Sequence, residues 1–230
     1  MTGRLSDDHM DQLESLIGTG PKTFRLLYSF TRDGCGLQSF HSKCDNQGPT
    51  VTVLFNPQGS VYGGYTSLAW QSSTRCNQDD QAFLFQLAFT QQKLCRKFPS
   101  KRTSEAIFHA NSYGPCFGSG GGHDLLLFCN IDNFNPVNGV FPLSNAGGKM
   151  IPSANFEYGG VKPADINNGT MDVVEGEVYS VTGRSLRNME QHLTFIHIIY
   201  TFNGWRYVLT NESEGFFKIF ACISSLIRSV

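Results

Sequence analysis

The sequence predicts a mainly β protein, a β-rich α+β chain built as a two-sheet antiparallel β-sandwich with a few flanking helices. Three observations carry that expectation. Phe (19) and Gly (24) are both abundant, which suits aromatics packed between sheets and glycines serving turns. The β-branched run TVTVLF (50–55) leads through NPQG into SVYGGYTS (60–67), the order of a hairpin. Strand-like segments are joined by loops rather than by crossover helices, which favours an antiparallel sandwich over a parallel α/β sheet.

The elements follow in chain order. Ser6 can cap a short helix with Asp7 and Asp8 in its first turn, Leu13, Leu16 and Ile17 on one side, and Gly18 as its stop. FRLLYSF (24–30) reads as a strand and RDGCG as a turn, with a short helical turn expected before Gly48-Pro49. QAFLFQLAF (81–89) alternates as a buried strand does, EAIFHAN (105–111) is a weaker strand, and LLLFCN (125–130) resumes after a glycine-rich stretch. Residues 133–162 read as loop, and MDVVEGEVYSV (171–181) as an alternating strand. Beyond Gly183, LTFIHIIYTFNGWRYVLT resembles a second hairpin turning at Asn203-Gly204. FFKIFACISSLIRSV places Phe216, Ile219, Phe220 and Ile223 at helical spacing, so a short apolar helix docked on the protein is expected there.

Composition excludes several classes. Eighteen basic and nineteen acidic residues give a net charge of -1, so no basic field draws the whole chain to nucleic acid or acidic lipid. No apolar run reaches the length of a transmembrane helix. The acidic, polar start is unlike a signal or transit peptide, and a cytoplasmic setting is expected. The seven cysteines are unevenly spaced without a C-x-x-C pair, which reads as reduced thiols rather than a zinc or dithiol motif. No cofactor or metal is expected.

Taken together, LLYS (26–29), GP (48–49), GSVYGGYTSLAW (59–70), QAFLFQL (81–87), GSGGGHDLLLF (118–128) and MDVVEGEVYSV (171–181) resemble the TLDc domain family. The resemblance covers roughly residues 20–181, and order with spacing makes it specific. It divides the chain into an N-terminal helix (1–19), a TLDc-like domain (20–182) and a C-terminal extension (183–230). The leading helix, the wording CDNQGPTVTV and the terminal strand look most like the TLDc-like region of the interferon-induced protein 44 group. That group carries a GTPase domain, whereas the nearest approach to a P-loop here, LSNAGGKM, has Leu143 in place of the first Gly and Met150 in place of Ser or Thr. The resemblance implies a non-enzymatic interaction module in oxidative-stress or innate-immune, antiviral physiology. Its partner would be a protein, either a vacuolar proton-pump subunit or an immune-signalling protein.

Candidate residues are weighed on their chemistry. Gly63 and Gly64 mark a bend or close approach inside a strand, by protein backbone in preference to a ligand. Gly120, Gly121 and Gly122 read as a bulged or mobile turn, because a strand rather than a helix follows. Trp70 is expected to anchor the core edge. No catalytic residue is assigned: His123 and Asp124 read as a surface turn, and as strand neighbours they would point to opposite faces. The run CRKFPSKR (95–102) reads as a solvated loop whose Arg96, Lys97, Phe98, Lys101 and Arg102 form a docking surface for an acidic partner. Asp172, Glu175 and Glu177 are assigned to the outward face of a strand. The alternative from another class is a thiol-dependent redox protein or sensor using Cys44 or Cys95, the cysteines with basic sequence neighbours.

Overall fold

The computed structural model describes residues 3–120, 122–152 and 155–183, with the backbone of 199–202, 205–210 and 218–222. The chain divides into two compact units, Met1–Arg184 and Ser185–Val230. In the first unit, Ser6 stays extended and accepts the N–H of His9 at 3.3 Å, which opens α1 (Asp7–Ile17); Gly18 closes it at φ 74°. β1 (Lys22–Ser29), α2 (Phe30–Asp33) and α3 (Leu37–Cys44) follow, then β2 (Thr50–Phe55), β3 (Val61–Thr66), β4 (Arg75–Asn77), β5 (Phe83–Phe89) and β6 (Gln92–Pro99). The remainder comprises β7 (Ile107–His109), β8 (Cys116–Phe117), β9 (Leu125–Leu126), β10 (Phe141–Pro142), a 3-10 turn at Leu143–Ala146, α4 (Ala164–Asn167), β11 (Asp172–Val173) and β12 (Glu175–Gly183).

Six strands make one antiparallel sheet in the order β1-β12-β2-β3-β5-β6, and four short ones make a second, β4-β7-β8-β9. β12 inserts between β1 and β2, with Val181 opposite Phe24 and Glu177 opposite Val53. Strand side chains alternate, so Val53 and Leu54 face opposite ways. Leu54, Tyr62, Leu84 and Phe98 join Ile107, Phe117 and Leu125 of the second sheet in one core. Val53, Phe55, Tyr65, Phe85 and Tyr179 join Leu5 and Leu13 in another, beneath α1. Burial on both faces is why β2 and β3 carry no charged residue.

Trp70 shows how the layers lock. Its indole N–H donates to Thr50 Oγ1 at 2.9 Å, and its ring meets Phe40 and Phe117 edge-on at 5.8 and 5.6 Å. Each such aromatic pair stabilises by about 0.5–1.5 kcal/mol beyond its area. α1 is tied down separately: Gln12 donates to Leu94 O at 2.5 Å, and Glu14 accepts the Lys22 N–H at 2.7 Å.

Several sequence readings change. Of the basic run read as a loop, Cys95–Pro99 is instead the greater part of β6, while Lys101 and Arg102 lie past its end. LLLFCN contributes only Leu125–Leu126 as strand, and the stretch read as loop contains β10 and a 3-10 turn. The strand read over 171–181 is broken at Val174, whose N–H turns to Phe55 O at 2.8 Å.

In the second unit, β13 (Ile199–Phe202), β14 (Trp205–Thr210) and β15 (Lys218–Cys222) form an antiparallel sheet in that order. Phe202 pairs with Trp205, so the hairpin register brackets Asn203 and Gly204, which lie outside the described residues. Where the sequence reading placed an apolar helix, Lys218–Cys222 is a strand paired along β14. Its apolar residues are β-branched or aromatic as often as not, which suits a pleated surface. The rest of that segment lies outside the described residues. Among the described residues no helix is long and apolar enough to cross a membrane.

Candidate functional site

β6 exists because of the turn before it. Thr90 and Gln91 both take positive φ, 49° and 67°, the two-residue geometry that folds a strand straight back. β6 then pairs along β5, Leu84 with Phe98 and Gln86 with Arg96, until Leu94 and Cys95 share the space opposite Leu87 as a bulge. As the last strand of its sheet, it presents an edge. Charged side chains on such an edge discourage indiscriminate pairing.

The five residues predicted to dock a partner are not equivalent. Arg96 is exposed and donates to Gln86 Oε1 at 3.2 Å. Lys97 is exposed but engaged: its ammonium donates to Leu16 O at the end of α1 (2.5 Å) and lies 4.4 Å from the Phe83 ring centre. Partial burial lowers its pKa. Lys101 and Arg102 are exposed. Phe98 does not belong to the surface: it is 3% exposed and stacks on Tyr158 at 5.3 Å. Strand alternation sends it inward, which a loop reading does not foresee. Beside the strand, Phe89, Leu94, Arg96, Val161 and Asp165 with Gly159 and Gly160 line an open groove of about 390 Å³.

The glycines face protein. A Cβ on Gly63 would collide with the Thr52 carbonyl, and one on Gly64 would stand 2.5 Å from the Phe117 ring. Gly120 (φ 76°) lies against the Glu105 carboxylate and Gly122 against Ile151. Gly121 is outside the described residues.

The thiols divide by burial. Cys44 lies fully in the core, where loss of hydration pushes its pKa well up; that is the opposite of what a reactive thiolate needs. Its basic sequence neighbour does not offset this. Cys95 is exposed on β6. A pairing that sequence reading missed joins Cys116 and His123, with Sγ 3.1 Å from Nδ1. The same Nδ1 is 2.9 Å from Gly118 O, a pure acceptor, so that nitrogen carries the proton and does not serve as a base for the thiol. Burial, the largest cause, also pushes the Cys116 thiol well up.

A second polar chain has catalytic residue types in a non-catalytic order. His41 Nδ1 bonds Asp45 Oδ1 at 2.9 Å, Ser72 Oγ donates to Asp45 Oδ2 at 2.6 Å, and His41 Nε2 meets Tyr113 O at 3.1 Å. With the carboxylate in the middle, no imidazole faces the hydroxyl to activate it.

Glu175 and Glu177 are buried, not outward as read from the sequence, because both faces of the large sheet are covered. Glu175 accepts the N–H groups of Phe30 (2.8 Å), Thr31 (3.3 Å) and Gly176 (3.0 Å) and the hydroxyls of Ser29 and Thr31. Glu177 accepts from Arg4 and Tyr179. Both border a cleft of about 160 Å³ with Arg4 and Arg32. Their oxygens are taken by structural donors. Among the described residues no three His, Cys, Asp or Glu side chains gather as metal ligands.

A family model matches the part of the chain that carries the N-terminal helix and most of both sheets. The TLDc domain model matches residues 4–139, more than half of the chain. The chain belongs to the TLDc domain family. Beyond the match, β12 (Glu175–Gly183) pairs into the same sheet, between β1 and β2. The chain is also 34% identical over 65 residues to MTOR-associated protein MEAK7 of Mus musculus, covering 28% of this chain and 14% of that protein. To MTOR-associated protein MEAK7 of Danio rerio it is 29% identical over 62 residues, covering 27% and 14% respectively. The chain thus aligns with a small part of these relatives' length. As a TLDc domain it is of a kind that generally acts as a non-enzymatic interaction module.

Proposed function

We propose that this TLDc chain works by docking a protein partner on the exposed basic surface of β6 and the turn after it, with Arg96, Lys101 and Arg102 as contacts. The observation that carries the reading is the placement of these charges: Arg96 on the edge strand and Lys101 and Arg102 just past its end, all exposed where a second chain can reach them. The relatives are named for association with mTOR, and we carry over only the class, a protein partner. A vacuolar proton-pump subunit or an immune-signalling protein fits that class. An oxidative-stress or innate-immune role in the cytoplasm, and kinship to the interferon-induced protein 44 group, form the finer part of the proposal. The kinship and the immune role rest on the wording of the N-terminal helix and residues 44–53, and the stress role on the resemblance to the TLDc family. The division at residues 19 and 182 is part of the same reading.

The test is charge reversal. Arg96→Glu, Lys101→Glu and Arg102→Glu together, in a chain whose circular dichroism is unchanged, should strip the protein partners that wild type recovers from cell extract. Undiminished recovery of the same partners would refute docking at this surface.

A further inference from the structure

β6 offers backbone as well as charge. Along a strand, N–H and C=O groups point alternately to its two sides. Ser100 turns its N–H inward to Ala82 O at 2.9 Å, so its neighbours Pro99 and Lys101 face outward. Both outward groups are already bonded: Glu157 N–H donates to Pro99 O at 3.0 Å, and Lys101 N–H donates to Asn155 O at 2.8 Å. A short stretch around Phe156 therefore lies along the outer edge, bridged antiparallel to Ser100. It leaves the edge at Tyr158, whose ring turns in against Phe98. The next outward residue, Lys97, and the bulge at Leu94 and Cys95 have no strand beside them among the described residues. One carbonyl there, Leu94 O, takes the Gln12 amide. The edge accepts a strand at one end and stands open at the other.

The side chains flanking the open part define what fits. Among the described residues Lys93 is held by Asp8, in a pair whose side chains are 62% and 65% exposed, so an incoming carboxylate can replace Asp8 at little cost. Arg96 reaches the same stretch from the groove side, where Phe89, Leu94 and Val161 supply apolar walls. A strand laid here sends alternate residues to the two sides, one set toward the groove and the other toward Lys93.

We propose that β6 from Lys93 to Lys97 is a strand-addition site for an acidic, extended segment of a protein partner. Backbone bonds at Lys97 set its register, carboxylates meet Lys93 on one side, and aliphatic side chains enter the groove beside Arg96 on the other. This rests on docking at the basic surface and adds the binding mode and the partner's chemistry.

The probe is a fluorescein-labelled peptide of four Glu-Val repeats, titrated against the full chain by fluorescence anisotropy. The controls are the same peptide N-methylated at its glutamates, a third methylated at its valines, and a Lys-Val version. The parent peptide should bind, one methylated form should bind roughly tenfold more weakly because its ladder donors are gone, and the Lys-Val peptide should not bind. Hydrogen exchange at the Lys97 amide should slow when the parent peptide is added. Lys97→Pro removes the outward N–H and leaves the β5 ladder intact; with fold retained, it should weaken binding far more than Lys97→Ala. Equal binding of the parent and both methylated peptides would overturn strand addition while leaving docking by charge. So would a Lys97 amide already protected in the free chain. Failure of the acidic peptides, together with charge reversals that leave partner recovery unchanged, would overturn both readings.

Discussion

Glu177 holds the backbone N–H of Arg4 with both carboxylate oxygens, at 2.9 and 3.1 Å, across 173 residues of chain. Tyr179, two residues along β12, donates its hydroxyl to Glu177 at 2.6 Å and accepts the N–H of Leu5 at 3.3 Å. The segment leading into α1 is therefore stitched to the middle of the large sheet. That keeps α1 over an apolar face holding Val53, Tyr65 and Phe85.

Burial raises the Glu177 pKa above the ordinary carboxylate value, against the lowering by its bonds from Tyr179 and Arg4. The folded chain keeps this proton to a higher pH than the unfolded chain does. Its contribution to stability is therefore complete below the ordinary carboxylate pKa and is lost as pH rises through the folded value. Glu177→Gln cannot ionise and escapes that loss. Its melting temperature should fall furthest below wild type near about pH 4 and approach it near about pH 8, as read by calorimetry. A gap that widens with pH would contradict this account.

His109 acts in the opposite direction. It is 2% exposed, packs edge-on to Trp70 at 5.6 Å, and among the described residues its Nδ1 has no hydrogen-bond partner. Burial, with Arg75 adding to it, lowers its pKa to about 4. The unfolded chain takes up the proton first, so the stability from a neutral His109 is present above the ordinary histidine value and is lost as pH falls through the folded one. A shift of this size corresponds to about 3 kcal/mol. His109→Phe should flatten the acid limb of the melting curve between about pH 6.5 and about pH 4. An acid limb unchanged by the substitution would assign the loss to other groups.

Thiol chemistry gives an independent check on the redox alternative. Cys76 and Cys95 are exposed, while Cys35, Cys44 and Cys116 are buried. Burial pushes the Cys35 thiol up to about 12 and the other two further. Thiolate, not thiol, is the nucleophile. Brief alkylation of the native chain followed by peptide mass spectrometry should label Cys76 and Cys95, leaving the buried three for the unfolded chain. Native labelling of Cys44 at the rate of Cys95 would revive it as a redox sensor.

What could be read in advance follows from range of interaction. α1 was legible because Ser6 and Gly18 mark its ends locally, and β2 because TVTVLF runs unbroken to the turn at Asn56. β6 was not: its charges suit both a solvated loop and an open edge, and only pairing with β5 separates them. Phe98 went to the wrong side with it. Glu175 and Glu177 look outward when one face of a sheet is assumed wet, but α1 covers that face from the far end of the unit. β4, β8 and β9, two or three residues each, are too short to show a period. The contacts of Cys116 with His123 and of His41 with Tyr113 depend on loops closing, which spacing does not encode.

The glycine pair at the centre of β3 permits the sharpest test of packing. Gly64 leaves room for the Phe117 ring, which descends from the second sheet and also meets Trp70 and Phe156. A methyl group there would press on ring carbons at 2.5 to 2.7 Å, forcing the two layers apart. Overpacking of this kind costs about 1–3 kcal/mol, so Gly64→Ala should lower the urea midpoint without changing the slope of the transition. Phe117→Leu alone leaves a void and is destabilising in its own right. Combined, the two changes relieve each other, because the smaller leucine yields the space that the methyl group takes. The double variant should therefore be more stable than the sum of the single effects requires, by about 0.5 kcal/mol or more. Strict additivity would mean that the ring and the glycine do not compete for the same space, and that β3 is glycine-rich for some other reason.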